Sequence, residues 1–204
     1  MPRPRKFNED TVVESAAGVF AAAGYGGTTM DELSRATGLG KQSIYNTFGG
    51  KRDLFLRALD RSTSTQIDRL AVELSSGTPS PLERITAHLD ALAVTFTSEG
   101  PLDSLFTKAT VELADRDPDV AVAARRAYRR LEDEYAGCIE QAQAAGEVDA
   151  TLDARALATY FVAVTRGMEV LGAAGADRSV ILDVGRVALT LLTGSARVSG
   201  SGAP

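Results

Sequence analysis

Apolar residues recur at helical spacing along almost the whole chain, and almost nowhere with the alternation of a half-buried strand. Val12, Val13, Ala16, Ala17 and Phe20 form a first stripe; Leu54, Phe55, Ala58, Leu59, Ile67, Leu70 and Leu74 form a longer one. Leu82, Ile85, Leu89, Leu92 and Phe96 follow, and after Asp117-Pro118 a long face carries Val120, Ala124, Ala127, Tyr128, Leu131, Tyr135 and Ile139. Two further stripes close the pattern: Leu157, Tyr160, Phe161, Val164, Met168 and Leu171, then Val180, Ile181, Val184, Val187, Ala188, Leu191 and Leu192. Helix breakers fall between them, SSGTPSP at 75–81, EGP at 99–101, AAGEVD at 144–149 and GAAGAD at 172–177. The reading is an all-α protein of about nine helices, three short ones within the first fifty residues and longer ones after. No internal repeat is visible, and the small polar tail at 193–204 is expected to be disordered.

The first fifty residues hold the motif with the most chemistry. Thr29-Met30-Asp31-Glu32 reads as a capping box that starts a helix, with the Thr29 side chain on the Glu32 amide and the Glu32 carboxylate on the Thr29 amide. Leu33 points to a core, Ser34 is small enough for a close helix crossing, and Gly38 supplies the left-handed residue of a tight turn plugged by Leu39. Gly40 serves as the next N-cap, and a third helix runs from about Lys41 to Thr47 with Ile44 and Phe48, four apart, on its buried side. Two helices joined by a three-residue glycine turn make a helix-turn-helix.

The outward residues of that third helix make a poor core and a good reading surface. Lys41 and Gln42 reach base edges, Ser43 and Thr47 carry short hydroxyls, Tyr45 a ring and a hydroxyl, and Asn46 pairs with adenine or donates to phosphate. Gly49 and Gly50 allow close backbone approach, and the next helix, headed by Lys51 and Arg52, presents free amides to a phosphate. Thr28 and Thr29 offer the same at the second helix. The competing view is a small helical subdomain with a solvated polar face.

Residues 12–55, VVESAAGVFAAAGYGGTTMDELSRATGLGKQSIYNTFGGKRDLF, resemble the tetracycline-repressor (TetR) family of transcriptional regulators. The resemblance rests on the amphipathic first helix ending in Phe20 and Gly24, the Thr-Thr start, Leu33, Gly38, Ile44-Tyr45, Phe48, Lys51 and Leu54-Phe55. It implies a homodimer whose N-terminal domains, residues 1–57 here, each read one half of a palindromic double-stranded DNA operator. Residues 58–192 would then bind a small-molecule effector and dimerise. It assigns Lys41, Gln42 and Ser43 to base or phosphate contact, and Tyr45 and Lys51 to phosphates. Thr47, Gly50, Gly40 and Ser34 depart from the family's usual residues at their positions. The basic arm Arg3, Arg5 and Lys6 reads equally as a DNA contact or as a solubilising tail.

Past residue 57 the likeness is one of architecture. The last two long helices have the length and apolar faces to pair with a second subunit as a four-helix bundle, with small Ala163 and Gly167 allowing close approach and Val164, Val184, Ala188 and Leu191 beside them. The same stripes also suit an intrachain core. His88, Phe96, Phe106, Tyr128, Tyr135, Tyr160, Arg166 and Glu169 are the polar or aromatic side chains on otherwise apolar helices, and a subset is expected to line an effector pocket.

Composition narrows the alternatives. The chain carries 22 basic and 27 acidic residues, a net −5, which argues against coating nucleic acid or anionic membrane without specificity. The charge is uneven: residues 1–57 hold eight basic and six acidic residues, leaving fourteen and twenty-one for the rest. The single cysteine, Cys138, excludes an intramolecular disulfide and a thiolate metal cluster, in keeping with a reducing cytoplasm. MPRPRKF has no apolar segment after its charges, and Arg166 interrupts the best candidate for a membrane span. The lone His88 has no metal-ligand partner at HxxxH or HxxE spacing, and no GxSxG, GxxxxGK[ST] or GxGxxG occurs. The expectation is a cytoplasmic regulator that is not an enzyme and needs no cofactor, with a helical small-molecule-binding protein lacking DNA binding as the alternative.

Overall fold

The computed structural model describes residues 7–75, 77–98 and 104–194. The basic arm, the EGP breaker and the tail from residue 195 lie outside them. Nine helices occur among the described residues, and no strand: α1 (Glu9–Gly27), α2 (Met30–Thr37), α3 (Lys41–Phe48), α4 (Lys51–Leu74), α5 (Pro81–Thr97), α6 (Leu105–Leu113), α7 (Pro118–Ala144), α8 (Ala154–Ala173) and α9 (Arg178–Thr193). None is long and apolar enough to cross a membrane.

The helix starts are written in side chains. Asn8 accepts from the Asp10 amide at 2.8 Å to open α1. Thr29 and Glu32 form the reciprocal box that opens α2. A second box, Ser80 with Glu83 and Pro81 at the first helical position, opens α5 inside the stretch that reads from sequence only as a breaker.

The described residues divide into two compact units. Residues 7–66 and 104–127 form the first, which joins α1–α3, the first part of α4, α6 and the start of α7; residues 67–98 and 128–194 form the second. In the first unit Val12, Val13, Ala16, Phe20 and Ala21 of α1 are buried with Leu33, Ile44, Phe48, Leu54 and Phe55. Phe20 meets Phe55 edge-on at 5.1 Å between ring centres, and Tyr25 lies 4.9 Å from Phe55. Each such large apolar side chain contributes roughly 1.5–3 kcal/mol by leaving water. In the second unit α5 packs on both α8 and α9 through Ile85, Leu89 and Ala93, against Ala158, Phe161, Met168, Ile181, Ala188 and Leu192. Gly185 is buried against Leu89, where an added methyl would make an ordinary contact 3.5 Å from the Leu89 Cβ.

One helix is broken on purpose. Inside α1, Gly24 takes φ 73° and ψ 172°, a region essentially reserved for glycine. The break leaves backbone groups on either side without their usual helical partners, and α6 supplies substitutes. Lys108 Nζ donates to the carbonyls of Ala21 and Ala22, and the Glu112 carboxylate accepts from the amides of Tyr25 at 3.0 Å and Gly26 at 2.7 Å. At Gly24 the conformation demands glycine, and a Cβ there would sit 2.6 Å from Glu112 Oε2 and push the carboxylate off its amides.

Replacing Gly24 by Ala is expected to cost at least about 1–3 kcal/mol, read as a lowered melting temperature. Gly18→Ala in the same helix, with nothing within 4 Å of the added carbon, is expected to raise stability by up to about 1 kcal/mol.

Candidate nucleic-acid interface

The turn between α2 and α3 is fixed by short-range bonds. Gly38 is left-handed at φ 69°, as its place in the sequence requires. The Ser34 hydroxyl donates to the Leu39 carbonyl at 2.5 Å across the turn, which explains a serine where the family usually has alanine. Gly40 caps α3 through its carbonyl alone, accepting from the Ser43 and Ile44 amides.

Ile44 and Phe48 are buried, and Lys41, Gln42, Tyr45 and Asn46 are exposed, with Ser43 and Thr47 half-buried between them. The exposed side chains pair with one another. Lys41 Nζ meets the Asp31 carboxylate at 2.7 Å, and Gln42 Nε2 donates to Asn46 Oδ1 at 3.0 Å. The Tyr45 ring lies over Gly50, whose φ is 132° and where a Cβ would come within 3.2 Å of the ring. Gly50 is therefore more than a missing cap: it seats Tyr45. Gly49, at φ 88°, ends α3 by donating its amide to the Tyr45 carbonyl, and the Asp53 carboxylate occupies the space its side chain would fill.

At the start of α4 the two cations take different partners. Lys51 Nζ stands 4.4 Å above the centre of the Tyr25 ring. Arg52 grips the α7 N-terminus, with Nη2 3.0 Å from Asp117 Oδ1 and 2.7 Å from Asp119 Oδ2. Hydrogen bonds from both carboxylates, Asp119's the larger, raise the arginine's pKa further. Asp117 also caps α7 on the amides of Asp119 and Val120; burial pushes its carboxyl up, but the Arg52 bonds and these amides together hold it below the ordinary value.

The threonine pair is split by the fold. The Thr28 side chain is buried and its hydroxyl donates to the Gly24 carbonyl, whereas Thr29 is exposed and its hydroxyl bonds Glu32. Of the two, only Thr29 presents a side chain outward.

The aromatic and polar residues expected at a pocket are only partly gathered. In the second unit His88 Nδ1 lies 2.5 Å from the Glu73 carboxylate, its ring 5.8 Å from that of Tyr135, and Tyr135 stacks 5.9 Å from Phe161. The hydrogen bond to His88 holds the Glu73 carboxyl below its ordinary value. Burial pushes the Tyr135 phenol well up, against the opposing Arg166 charge and a hydrogen bond with Thr165. Arg166 meets the buried Glu169 carboxylate at 2.8 Å. Tyr160 contacts Phe161 from the exposed side of α8, Tyr128 is half-buried on α7, and Phe96 lines a separate surface cleft of about 550 Å³ with Gly172 and Arg178. Phe106 belongs to α6 and the core of the first unit. Glu73 was not singled out by sequence; the sign of it was an acid beside the Leu70–Leu74 stripe.

On α8 and α9, Tyr160, Ala163, Gly167, Val170 and Leu171 are exposed together with Val180, Val187 and Leu191, while Val164 and Val184 are half-buried. Ala188 is different. It is fully buried within its own chain and supports this face from beneath.

A short helix held by two buried side chains, offering amides, hydroxyls and an ammonium on its open side after a glycine turn, defines a helix-turn-helix transcriptional regulator. Residues 12–58 match the family described as bacterial regulatory proteins, tetR family, and residues 81–180 match the tetracyclin repressor-like C-terminal domain. The chain belongs to the TetR family, whose members are regulators and not enzymes. An uncharacterised HTH-type regulator, YezE of Bacillus subtilis (strain 168), is 28% identical over 94% of this chain and 100% of its own length. The HTH-type transcriptional repressor ComR of Escherichia coli (strain K12) is 26% identical over 93% of this chain and 90% of its own. Among solved structures, a cysteine-substituted TetR-family regulator CifR complexed with a 26 bp operator DNA superposes with a TM-score of 0.80 at 27% identity, covering 94% of this chain and 100% of that one. A TetR regulator from Chloroflexus aurantiacus J-10-FL gives 0.79 at 26%, over 90% and 93%.

The capping box of α2 makes a pH test. The bond from the Thr29 amide, then that from its hydroxyl, lowers the Glu32 carboxyl from an ordinary 4.5. A depressed folded-state pKa adds stability above the unfolded value and loses it as pH falls through the folded one. The stability gap between wild type and Glu32→Gln is thus expected to be constant above about pH 5 and to close below 4.5, followed by thermal melts across that range.

Proposed function

We propose that this chain is a transcriptional repressor that binds a palindromic operator as a homodimer and leaves it when a small molecule occupies the larger domain. The observation that carries the reading is α3, whose apolar residues are buried and whose exposed residues are those that read base edges. Residues 1–57 form the DNA-reading domain, and residues 58–192 bind effector and dimerise. The operator-bound CifR and the repressor ComR support this assignment by likeness.

Within it, Lys41, Gln42, Ser43, Asn46 and Thr47 face base edges, while Tyr45, Lys51 and Thr29 meet phosphates. The buried Thr28 contributes through the fold of the α1–α2 junction. His88, Tyr135, Arg166 and Glu169, with Glu73, form the polar part of the effector site. Glu73 lies in the last turn of α4, the helix that begins at Lys51, so an effector that displaces Glu73 acts on the element that carries the phosphate contact. The exposed face of α8 and α9 around Ala163, Val164, Gly167, Val184 and Leu191 pairs with a second subunit. The protein works in the cytoplasm, where its operator is. A small-molecule-binding protein without DNA affinity is the weaker reading, because it leaves the exposed face of α3 without a use.

Selection from a random duplex pool is expected to enrich a palindrome; no enrichment at low salt would count against the regulator. On the enriched duplex, Lys51→Ala should weaken binding and reduce the salt slope by about 0.9 per subunit, about 1.8 for the dimer, and Gln42→Ala should cost about 1–3 kcal/mol per half-site with relaxed base preference. The double variant Val164→Glu, Leu191→Glu should run as a monomer in light scattering; a surviving dimer places the interface elsewhere.

A further inference from the structure

The phosphate role of Lys51 rests on an ammonium at the end of a flexible four-carbon stem, and a lysine that wanders loses rotamer freedom when it binds. Here the ammonium has a partner. Its Nζ sits 4.4 Å from the centre of the Tyr25 ring, and that ring is itself wedged 4.9 Å from Phe55. A ring on one side of an ammonium leaves its remaining N–H donors turned the other way, toward solvent and an incoming anion.

Tyr25 is the first residue past the Gly24 break, and its amide bonds a side chain of α6. Its position is set from α6. The Glu112 carboxylate accepts from the Tyr25 and Gly26 amides, one per oxygen, while Lys108, one turn earlier, closes the carbonyls of Ala21 and Ala22. Gly24 leaves the gap through which the carboxylate reaches them. All of these residues belong to one compact unit.

We infer that Tyr25 is a positioning residue for the contact between Lys51 and DNA phosphate, and that Glu112 is the group that holds Tyr25 in place. Tyr25 itself touches no base, and its hydroxyl is not what matters; the face of the ring is. The inference rests on the DNA-binding reading above and adds to it two residues outside α2 and α3, one at the end of α1 and one on α6.

The test is a double-mutant cycle on the duplex that wild type enriches from a random pool, with affinity measured across a salt series. Tyr25→Leu is expected to weaken binding about two- to fivefold per half-site, the size of an exposed cation–π contact, and Tyr25→Phe to bind like wild type. In the Lys51→Ala background Tyr25→Leu should have no further effect, because nothing is left to position. Glu112→Gln, which keeps the ring, should show a smaller loss that also disappears in that background, so the conclusion does not hang on the folding of the leucine variant. If the Tyr25→Leu loss persists undiminished beside Lys51→Ala, or Tyr25→Phe is as weak as Tyr25→Leu, the positioning role is overturned while DNA binding stands. If Lys51→Ala changes neither affinity nor salt slope, the phosphate contact falls and the positioning role with it; if no duplex is enriched, the regulator reading itself falls.

Discussion

An eight-residue helix with two apolar side chains does not persist alone in water, because the cost of nucleating it is never recovered by so few bonds. α3 exists because Ile44 and Phe48 reach a core that other helices have already built: Phe20 of α1, Leu33 of α2, Leu54 and Phe55 of α4. Everything that faces DNA depends on this division of labour. With its stability supplied from below, α3 is free to spend its open positions on polar groups that a self-sufficient helix would fill with alanine and leucine.

The support is broader than the motif. α6 and the start of α7 pack with the helix-turn-helix in one unit, and they do so through charge as well as apolar contact. Arg52 holds two aspartates at the head of α7, and the charged pair of α6 completes the broken end of α1. These are exposed or half-exposed interactions, modest singly. Their value is geometric: they act at helix ends, where a small shift changes where the next helix begins.

Local chemistry was legible in the sequence, and distant pairing was not. Thr29 with Glu32, Gly38 after Thr37, and Ile44 with Phe48 are relations across three or four residues or at a single backbone angle, so residue type alone decides them. Glu112 and Tyr25 are 87 residues apart, and the chain has many other acids on helix surfaces; only the packing of α6 on α1 selects that one. Gly24 reads as a helix end, and its non-helical angles agree; what residue type could not show is that α6 satisfies the groups exposed there. The effector residues were the least readable. His88 and Tyr135 come together, but Phe106 lies in a different core, since an aromatic on an apolar stripe looks the same whether it faces a pocket or a packed neighbour. For the same reason Ala188 was grouped with the outer face of α9 although it is fully covered.

The side chains proposed to read bases already have partners in the free protein, Lys41 in Asp31 of α2 and Gln42 in Asn46. A duplex must therefore compete with these internal partners before it gains anything from α3. Where the base edges match, each bond given up is replaced by one at least as good; where they do not, it is surrendered for nothing. Both pairs are exposed and weak in water, so they set the starting orientation of the outer face of α3 rather than shield it.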